Sequence, residues 1–536
     1  CPEVRRAQLG TGHPAMHFFG RTIRYKELAE LSNRFAGMLT DNGLGPGDIV
    51  AVHLPNVPQY LVVQGAILRA GCASSGLSPL LTAPEITYQL NDSRARALVT
   101  LDVLFERRLA AVFDRLPHLQ LVIVTGLLEF LPLLKRLLGR FLGKAPRGRV
   151  GRVAGKTVLR LSEVLRHYPD RDPEPIVNAV TPCLVQYTGG TTGVPKGAVL
   201  THRNLMANIA QIDEWCKTGK GEDVLLSGFP FFHLAGLMLA TMTLCVGGAQ
   251  VLIPDPRNTD HIIKEMARYR PTILVNVPAL YQLLLENPAF GRLDFSELKF
   301  CISGAAPFPL AGIRALEAVV GEGKLIEVYG MTETSPLVTM NPRRGRKKQG
   351  TVGLPLPNTR VRLMDLHAGN RPVPAGEEGE LVVQGPQVMK GYMNRPEETG
   401  NVLRQIHGET WLYTGDVARM DPQGYFTIVD RTKDMLNVGG FKVFSREVEE
   451  TLSRHPVIRH CAVIGVPNSD RLGSDRVKLV VQPSDESKER EEGDLEKEIL
   501  AFARENLSPY KVPKIIQFMD DIPLTPVGKV DKKALR

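Results

Sequence analysis

The sequence predicts a multidomain α/β protein: a large N-terminal domain of layered α/β sheets, ending in a β-rich subdomain, and a small α+β C-terminal domain. Three observations carry this. The chain has 536 residues, too many for one core when domains of roughly 100–250 residues are usual. Short apolar runs alternate with helical patterns (DIVAVHL then PQYLVVQGAILRAG, TILVNV then PALYQLLLE) from about residue 20 to about residue 380, the texture of largely parallel sheets covered by helices. From about residue 350 the pattern shifts to short strands and turns, TRVRLMD, EEGELVVQG and GYFTIVD.

The boundaries follow from these changes. Residues 1–430 form the large domain, with the β-rich part at about 350–430, and Asp430-Arg431 reads as a polar junction. Residues 431–536 carry two helical patterns, SREVEETLSRH and DLEKEILAFARENL, and strand runs near CAVIGVP and VKLVVQP. The charged stretch SDESKEREEGD between them reads as a solvated loop or helix start.

Composition excludes several classes. Apolar content of 43% with 23% charged residues is that of a globular protein and not of a disordered chain. The seven cysteines are scattered, with no CxxC pair or Cys/His cluster. A disulfide scaffold and a zinc site are therefore not expected, and a reducing cytoplasm fits best. Phe229 to Val246, FPFFHLAGLMLATMTLCV, has no charged residue, but it is interrupted by Pro230 and Gly236 and lacks basic flanks. It reads as an apolar loop leading into a buried helix.

The net charge is +9, and residues 131–160 contain nine Lys or Arg and no acid. The remainder of the chain is balanced, which gives no reason to expect a nucleic-acid partner. On a helix, Leu134, Leu137, Leu138 and Phe141 of PLLKRLLGRFL share one side, and Lys135, Arg136, Gly139 and Arg140 share the other. Such a helix suits an anionic membrane surface, making the protein peripheral. The alternative is that its leucine face packs on the protein's own core or on a homodimer partner.

The strongest local signal is Tyr187 to Gly197, YTGGTTGVPKG, which follows the apolar run CLVQY. Four glycines and three threonines make a poor helix and a poor strand. They make a loop whose backbone N–H groups can reach phosphate oxygens, aided by hydroxyls and Lys196. It is not a Walker A loop, because Lys196 precedes glycine and not Ser or Thr.

This loop resembles the phosphate loop of the adenylate-forming superfamily: acyl-CoA synthetases, luciferases and peptide-synthetase adenylation domains. Further matches stand in the family's order: SGAAP (303–307), YGMTE (329–333), YTGD (413–416), DRTKDMLNVGGFKV (430–443) and PVGKVDKKALR (526–536). The resemblance implies that a carboxylate attacks the α-phosphate of ATP, giving acyl-AMP and pyrophosphate, and that a thiol then displaces AMP. It implies roles residue by residue. Thr188, Gly189, Gly190, Thr191, Thr192, Gly193 and Lys196 would hold the β- and γ-phosphates. Glu333 would ligate Mg²⁺ as a hard oxygen donor, and Thr332 would contact the α-phosphate. Tyr329 would stack on adenine within the motif that includes Gly330 and Met331, with Gly304, Ala305 and Ala306 forming the opposite wall. Asp416 would bind the ribose hydroxyls, and Arg431 would add charge beside them. Lys529 would act in adenylation. Gly439, Gly440 and Lys442 would turn in for coenzyme A. The small domain would be mobile, swinging about a hinge at Asp430 and Arg431.

PFFHLAGL, DPRNTD, VNVPALYQLLLENPAF, GPQVMKGY and SPYKVPKIIQF resemble the bacterial long-chain fatty-acid–CoA ligases. That implies an acyl tunnel along residues 229–246, with His233 at its mouth and Gly236 and Leu237 in its wall. The chain departs from the family at Phe444-Ser445, where Tyr-Pro is usual, and at SGAAP, where many relatives have a second glycine. Alternatives are a fatty acyl-AMP ligase using another carrier thiol, a ligase for a smaller or aryl acid, and a non-catalytic scaffold that kept the fold.

Overall fold

The structure is a computed structural model that describes residues 12–141, 147–174, 177–188, 194–219, 221–366, 369–432, 434–438, 441–468, 474–524 and 530–535. The side chains of Leu138, Arg140, Phe141 and Lys442 lie outside the described part.

Two large sheets dominate. In the eight-stranded one the order is Gly391–Tyr392, Lys196–Thr201, Pro182–Thr188, Ala73–Gly76, Ile49–His53, Ala97–Leu101, Leu121–Thr125 and Thr157–Arg160. Strands such as IVAVH, ALVTL and LVIVT are buried at every position, as parallel strands covered on both faces must be. The nine-stranded sheet places Leu325–Gly330 and Phe300–Ser303 side by side, both parallel, with Leu337–Met340 returning antiparallel. One core cluster, including Met16, Val50, Tyr60, Leu184 and Leu237, joins the two sheets.

The β-rich subdomain is a five-stranded antiparallel sheet built around Glu409–Met420, with Phe426–Arg431 on one side of it. Its buried residues include Trp411, Leu381 and Phe426. A separate cluster of Leu436, Val448, Val463, Leu479 and Ile499 holds the C-terminal part. There a three-stranded sheet packs with the helices Ser445–Leu452 and Glu492–Asn506. The change of core falls between Arg431, the last residue of its strand, and Leu436, the first apolar residue of the new cluster.

As expected, residues 229–246 resolve into a loop and the helix Leu234–Cys245; no helix among the described residues is long and apolar enough to cross a membrane. The basic stretch, in contrast, is not one solvated stripe. Its second half is drawn into the fold, with Thr157–Arg160 joining the eight-stranded sheet. The Lys156 ammonium donates to the carbonyls of Leu116 and Leu119 at 2.7 and 2.9 Å. Arg147 and Arg160 lie in the field of Asp102.

Candidate active site

The site collects at the C-terminal end of Leu325–Gly330, where a parallel strand delivers its last residues to the sheet edge. At Gly330 a Cβ would lie 1.9 Å from the Pro336 carbonyl oxygen, so only glycine lets the chain double back this closely. The Met331 N–H donates to that same oxygen at 2.9 Å. The Thr334 hydroxyl donates to it at 2.6 Å, fixing the short turn Thr332–Thr334.

That turn aims Glu333 inward, where it is 5% exposed. Its Oε1 accepts from the Tyr392 hydroxyl at 2.6 Å, and its main-chain oxygen accepts from the Met389 N–H at 2.8 Å. Burial holds the carboxyl above its usual range, opposed by the Tyr392 hydrogen bond. Tyr392 also carries the Lys196 ammonium over its ring, 5.2 Å from the centroid. One tyrosine thereby ties the base of the glycine-rich loop to Glu333. Sequence reading passed over Tyr392. It ends the GPQVMKGY run, and nothing in the run distinguishes it from a core aromatic.

Beside Glu333, Tyr329 donates its hydroxyl to Asp416 Oδ2 at 2.6 Å, and Arg431 Nε lies 3.0 Å from Asp416 Oδ1. Burial, and then Asp416, push the Tyr329 hydroxyl well up, while Asp416 pushes the Arg431 guanidinium up. Each Asp416 oxygen accepts one bond and keeps a lone pair for a ligand hydroxyl. The opposite wall follows Phe300–Ser303. A Cβ on Gly304 would meet Val328 Cγ2 at 2.7 Å, and Ala305 sits at φ 68, a left-handed conformation that costs a non-glycine residue about 1–2 kcal/mol. Ala306 follows it on the same loop.

Thr188 ends its strand, and its hydroxyl faces the Lys196 carbonyl at 3.4 Å. Gly189, Gly190, Thr191, Thr192 and Gly193 lie outside the described residues, as do Lys529, Gly439 and Gly440. The Lys442 backbone pairs with Asn437 in a hairpin. Thus Thr188, Lys196, Tyr329, Thr332, Glu333, Asp416, Arg431 and the 304–306 loop are positioned by adjoining elements. Glu333 is a hard oxygen donor beside Lys196, and it would suit holding a Mg²⁺ ion. Among the described residues no group of three or more His, Cys, Asp or Glu gathers as an all-protein metal site.

The assigned hinge residues differ from a free linker. Asp430 and Arg431 are the last two residues of a strand, paired with Val417 and Asp416, and the Thr432 N–H donates to the Gly415 carbonyl. Asp430 turns away from the site. Its carboxylate accepts from the Ser445 hydroxyl at 3.0 Å. Ser445 accepts from the Lys532 ammonium at 2.6 Å, and Lys532 also meets Glu449 at 2.8 Å. Burial raises the Asp430 and Glu449 carboxyls, and Lys532 opposes both shifts.

At the residues assigned from sequence to an acyl tunnel, His233 precedes the helix Leu234–Cys245, and its Nδ1 accepts from the Ala235 N–H at 3.3 Å. A Cβ on Gly236 would lie 2.2 Å from the Pro230 carbonyl oxygen, and Leu237 is buried in the core. Behind this helix a cavity of about 30 Å³ is lined mainly by apolar side chains, among them Ile212, Leu239, Met242, Val275 and Ile302.

Residues 4–393 match the family model of AMP-binding enzymes, and residues 447–529 match that of the AMP-binding enzyme C-terminal domain. The chain is 36% identical to a long-chain-fatty-acid–CoA ligase of Bacillus subtilis (strain 168), covering 97% of this chain and 91% of that one. It is 38% identical to the long-chain-fatty-acid–CoA ligase of Yersinia pestis, covering 98% and 91%. It is 34% identical to a feruloyl-CoA synthase of an Amycolatopsis species, covering 99% and 97%. The crystal structure of ATP-bound MatB from Rhodopseudomonas palustris superposes with a TM-score of 0.82 at 28% identity, covering 99% of this chain and 98% of that one. The chain belongs to the AMP-binding enzymes, and it has the ATP-binding, adenylate-forming fold of an AMP-forming acid–CoA ligase.

Proposed function

We propose that this ligase activates medium- or long-chain fatty acids. Its carboxylate substrate attacks the α-phosphorus of ATP, a P–O bond forms, and pyrophosphate leaves with the electron pair of the broken bond. The thiolate of coenzyme A then attacks the acyl carbon and AMP departs. Two anions must meet in the first step, so fixed positive charge is the main demand. Thr188, residues 189–193 and Lys196 hold the β- and γ-phosphates, and Thr332 meets the α-phosphate. Asp416 receives the ribose hydroxyls, with Arg431 orienting its carboxylate through their ion pair. Lys529 neutralises charge during adenylation, while Gly439, Gly440 and Lys442 serve the thiol step. Glu333 would hold a Mg²⁺ ion, which would supply Lewis-acid charge toward the phosphates. The small domain changes pose between the two steps, and it does so beyond Arg431, where the chain leaves the sheet.

The observation that carries the choice of acid is the charge-free helix Leu234–Cys245. The names of the relatives from Bacillus subtilis and Yersinia pestis support the same choice. Each methylene buried is worth about 0.8 kcal/mol, so kcat/KM should climb about fourfold per carbon until the pocket is full. A series from butyrate to stearate, with ferulate alongside and AMP release as readout, tests this. A flat series with ferulate preferred overturns the fatty-acid reading in favour of an aryl acid, the reading the feruloyl-CoA synthase supports. AMP release that does not depend on added coenzyme A favours an acyl-AMP ligase with another carrier thiol.

A further inference from the structure

The helix Leu133–Phe141 is amphipathic in sequence, but which side faces water is a structural question, and the orientation is the reverse of a core helix. Leu133, Leu134 and Leu137 are 74%, 75% and 53% exposed. Single exposed leucines are ordinary. Three on one face of a helix of nine residues are a patch that requires an occupant. The side turned to the protein carries Gly139, and the exposed Lys135 stands at its rim. A Cβ on Gly139 would meet Leu128 Cδ2 at 3.2 Å, and the Lys135 ammonium donates to the Phe19 carbonyl at 2.7 Å. Leu127 and Leu131, just before the helix, already pack on the core. The turn that carries the helix is therefore anchored while its leucines point outward.

The surroundings are basic. Lys135 bonds the same turn, Phe19-Gly20, that the Arg268 guanidinium abuts. Phe19 stacks on His261, whose imidazole feels both Lys135 and Lys264. Lys264 and Arg268 are exposed on the adjoining helix Thr259–Tyr269. The acids nearby are turned away from this surface or paired: Glu265 is buried, Glu27 pairs with Arg21, Glu129 accepts from Thr125 and the Gly126 N–H, and Asp260 accepts from Asn287. An outward apolar face edged by ammonium and guanidinium groups matches an anionic lipid surface in both its parts: hydrocarbon for the leucines, phosphate for the cations.

We propose that the Leu133–Phe141 helix docks the enzyme reversibly on anionic membrane, with Leu133, Leu134 and Leu137 entering the interface and Lys135, Arg136, Lys264 and Arg268 meeting headgroups. The surface stands on its own geometry, whichever acid the site activates. Docking there would let a water-insoluble acid reach the enzyme from the bilayer in which it dissolves.

Flotation of the full chain with vesicles tests it, using phosphatidylcholine alone or mixed with phosphatidylglycerol. The wild type should float with the mixed vesicles at low salt, stay behind with phosphatidylcholine alone, and be released by raised salt. The variant carrying Leu133→Ser, Leu134→Ser and Leu137→Ser should lose roughly 100-fold in partitioning. Lys135→Gln with Lys264→Gln and Arg268→Gln should lose roughly tenfold or more. Both should keep wild-type activity on a short soluble acid, which also reports that they fold. Three results overturn the proposal. The wild type fails to float with the mixed vesicles; the serine variant floats as well as the wild type; or gel filtration gives a dimer that the serine substitutions split, which makes the face an interface between two copies.

Discussion

Asp430 and Arg431 are adjacent in one strand and serve opposite sides of it. Arg431 points to the proposed nucleotide side, where it pairs with Asp416 and through it reaches Tyr329. Asp430 points to the C-terminal side, where Ser445 and Lys532 hold it. Strand geometry alone separates them, since successive side chains alternate between faces. The two sides also differ in kind. The nucleotide side leaves lone pairs and a half-exposed guanidinium for a ligand, whereas the other is a closed chain of bonds from Asp430 to Glu449. Substitutions on the first side should damage adenylation; those on the second should alter how the C-terminal domain is held.

Glu333→Gln is the harshest test of the first side. The amide can still accept from Tyr392 but carries no charge for a cation, so pyrophosphate exchange into ATP should fall roughly 10²–10³-fold. Retention of half the activity would remove Glu333 from the site. Asp416→Asn preserves an acceptor for Tyr329 and loses the ion pair with Arg431. We expect kcat/KM for ATP to fall about 10- to 100-fold, mostly through KM, and an unchanged KM would refute a ribose role.

Glu327 extends the comparison into stability. It precedes Tyr329 by two residues and accepts from the Gly350 N–H at 2.9 Å, while burial pushes its carboxyl to about 7, opposed in part by Arg446 beside Ser445. Its folded pKa is thus raised above the ordinary 4.5. The folded state binds the proton more tightly, so its stability contribution is present at pH 4.5 and is lost as pH rises to about 7. Urea unfolding at pH 5 and pH 8 should show Glu327→Gln gaining on the order of 1–3 kcal/mol over the wild type at the higher pH only. An equal gain at both would mean the carboxyl titrates normally.

Ser445→Ala should have the smallest effect, about 1 kcal/mol in stability. ATP–pyrophosphate exchange should stay within about threefold, while conversion of supplied acyl-AMP to acyl-CoA should change more. Equal change in both half-reactions would show that the Asp430–Ser445–Lys532 chain does not bear on pose.

Much of the nucleotide side was legible because its residues sit in short contiguous motifs. YGMTE alone supplies Tyr329, Gly330 and Glu333, and YTGD supplies Asp416. Tyr392 was not legible, because its partners Glu333 and Lys196 stand 59 and about 200 residues away and only the fold brings them together. The C-terminal side was hidden for the same reason. Ser445 stood out as a departure from the usual proline, but its bonds to positions 430 and 532 are tertiary. Periodicity divided Leu133–Phe141 into two faces and left open which one faces out. That was decided by the close approach of Gly139 to Leu128 and by the Lys135 bond to Phe19. The alternation of buried strands and helices announced the layered α/β fold, but not that the strand Phe426–Arg431 would carry both supposed hinge residues inside its ladder.

The most direct test compares the two neighbours in one assay: fatty-acid-dependent exchange of labelled pyrophosphate into ATP, without coenzyme A, in Arg431→Gln and Asp430→Asn. Arg431→Gln should lower exchange at subsaturating ATP at least about tenfold, because it removes the charge that orients Asp416. Asp430→Asn should leave exchange within about threefold, because its side chain faces the C-terminal domain and not the nucleotide. Equal loss in the two variants would contradict the division of the strand into a nucleotide side and a domain side.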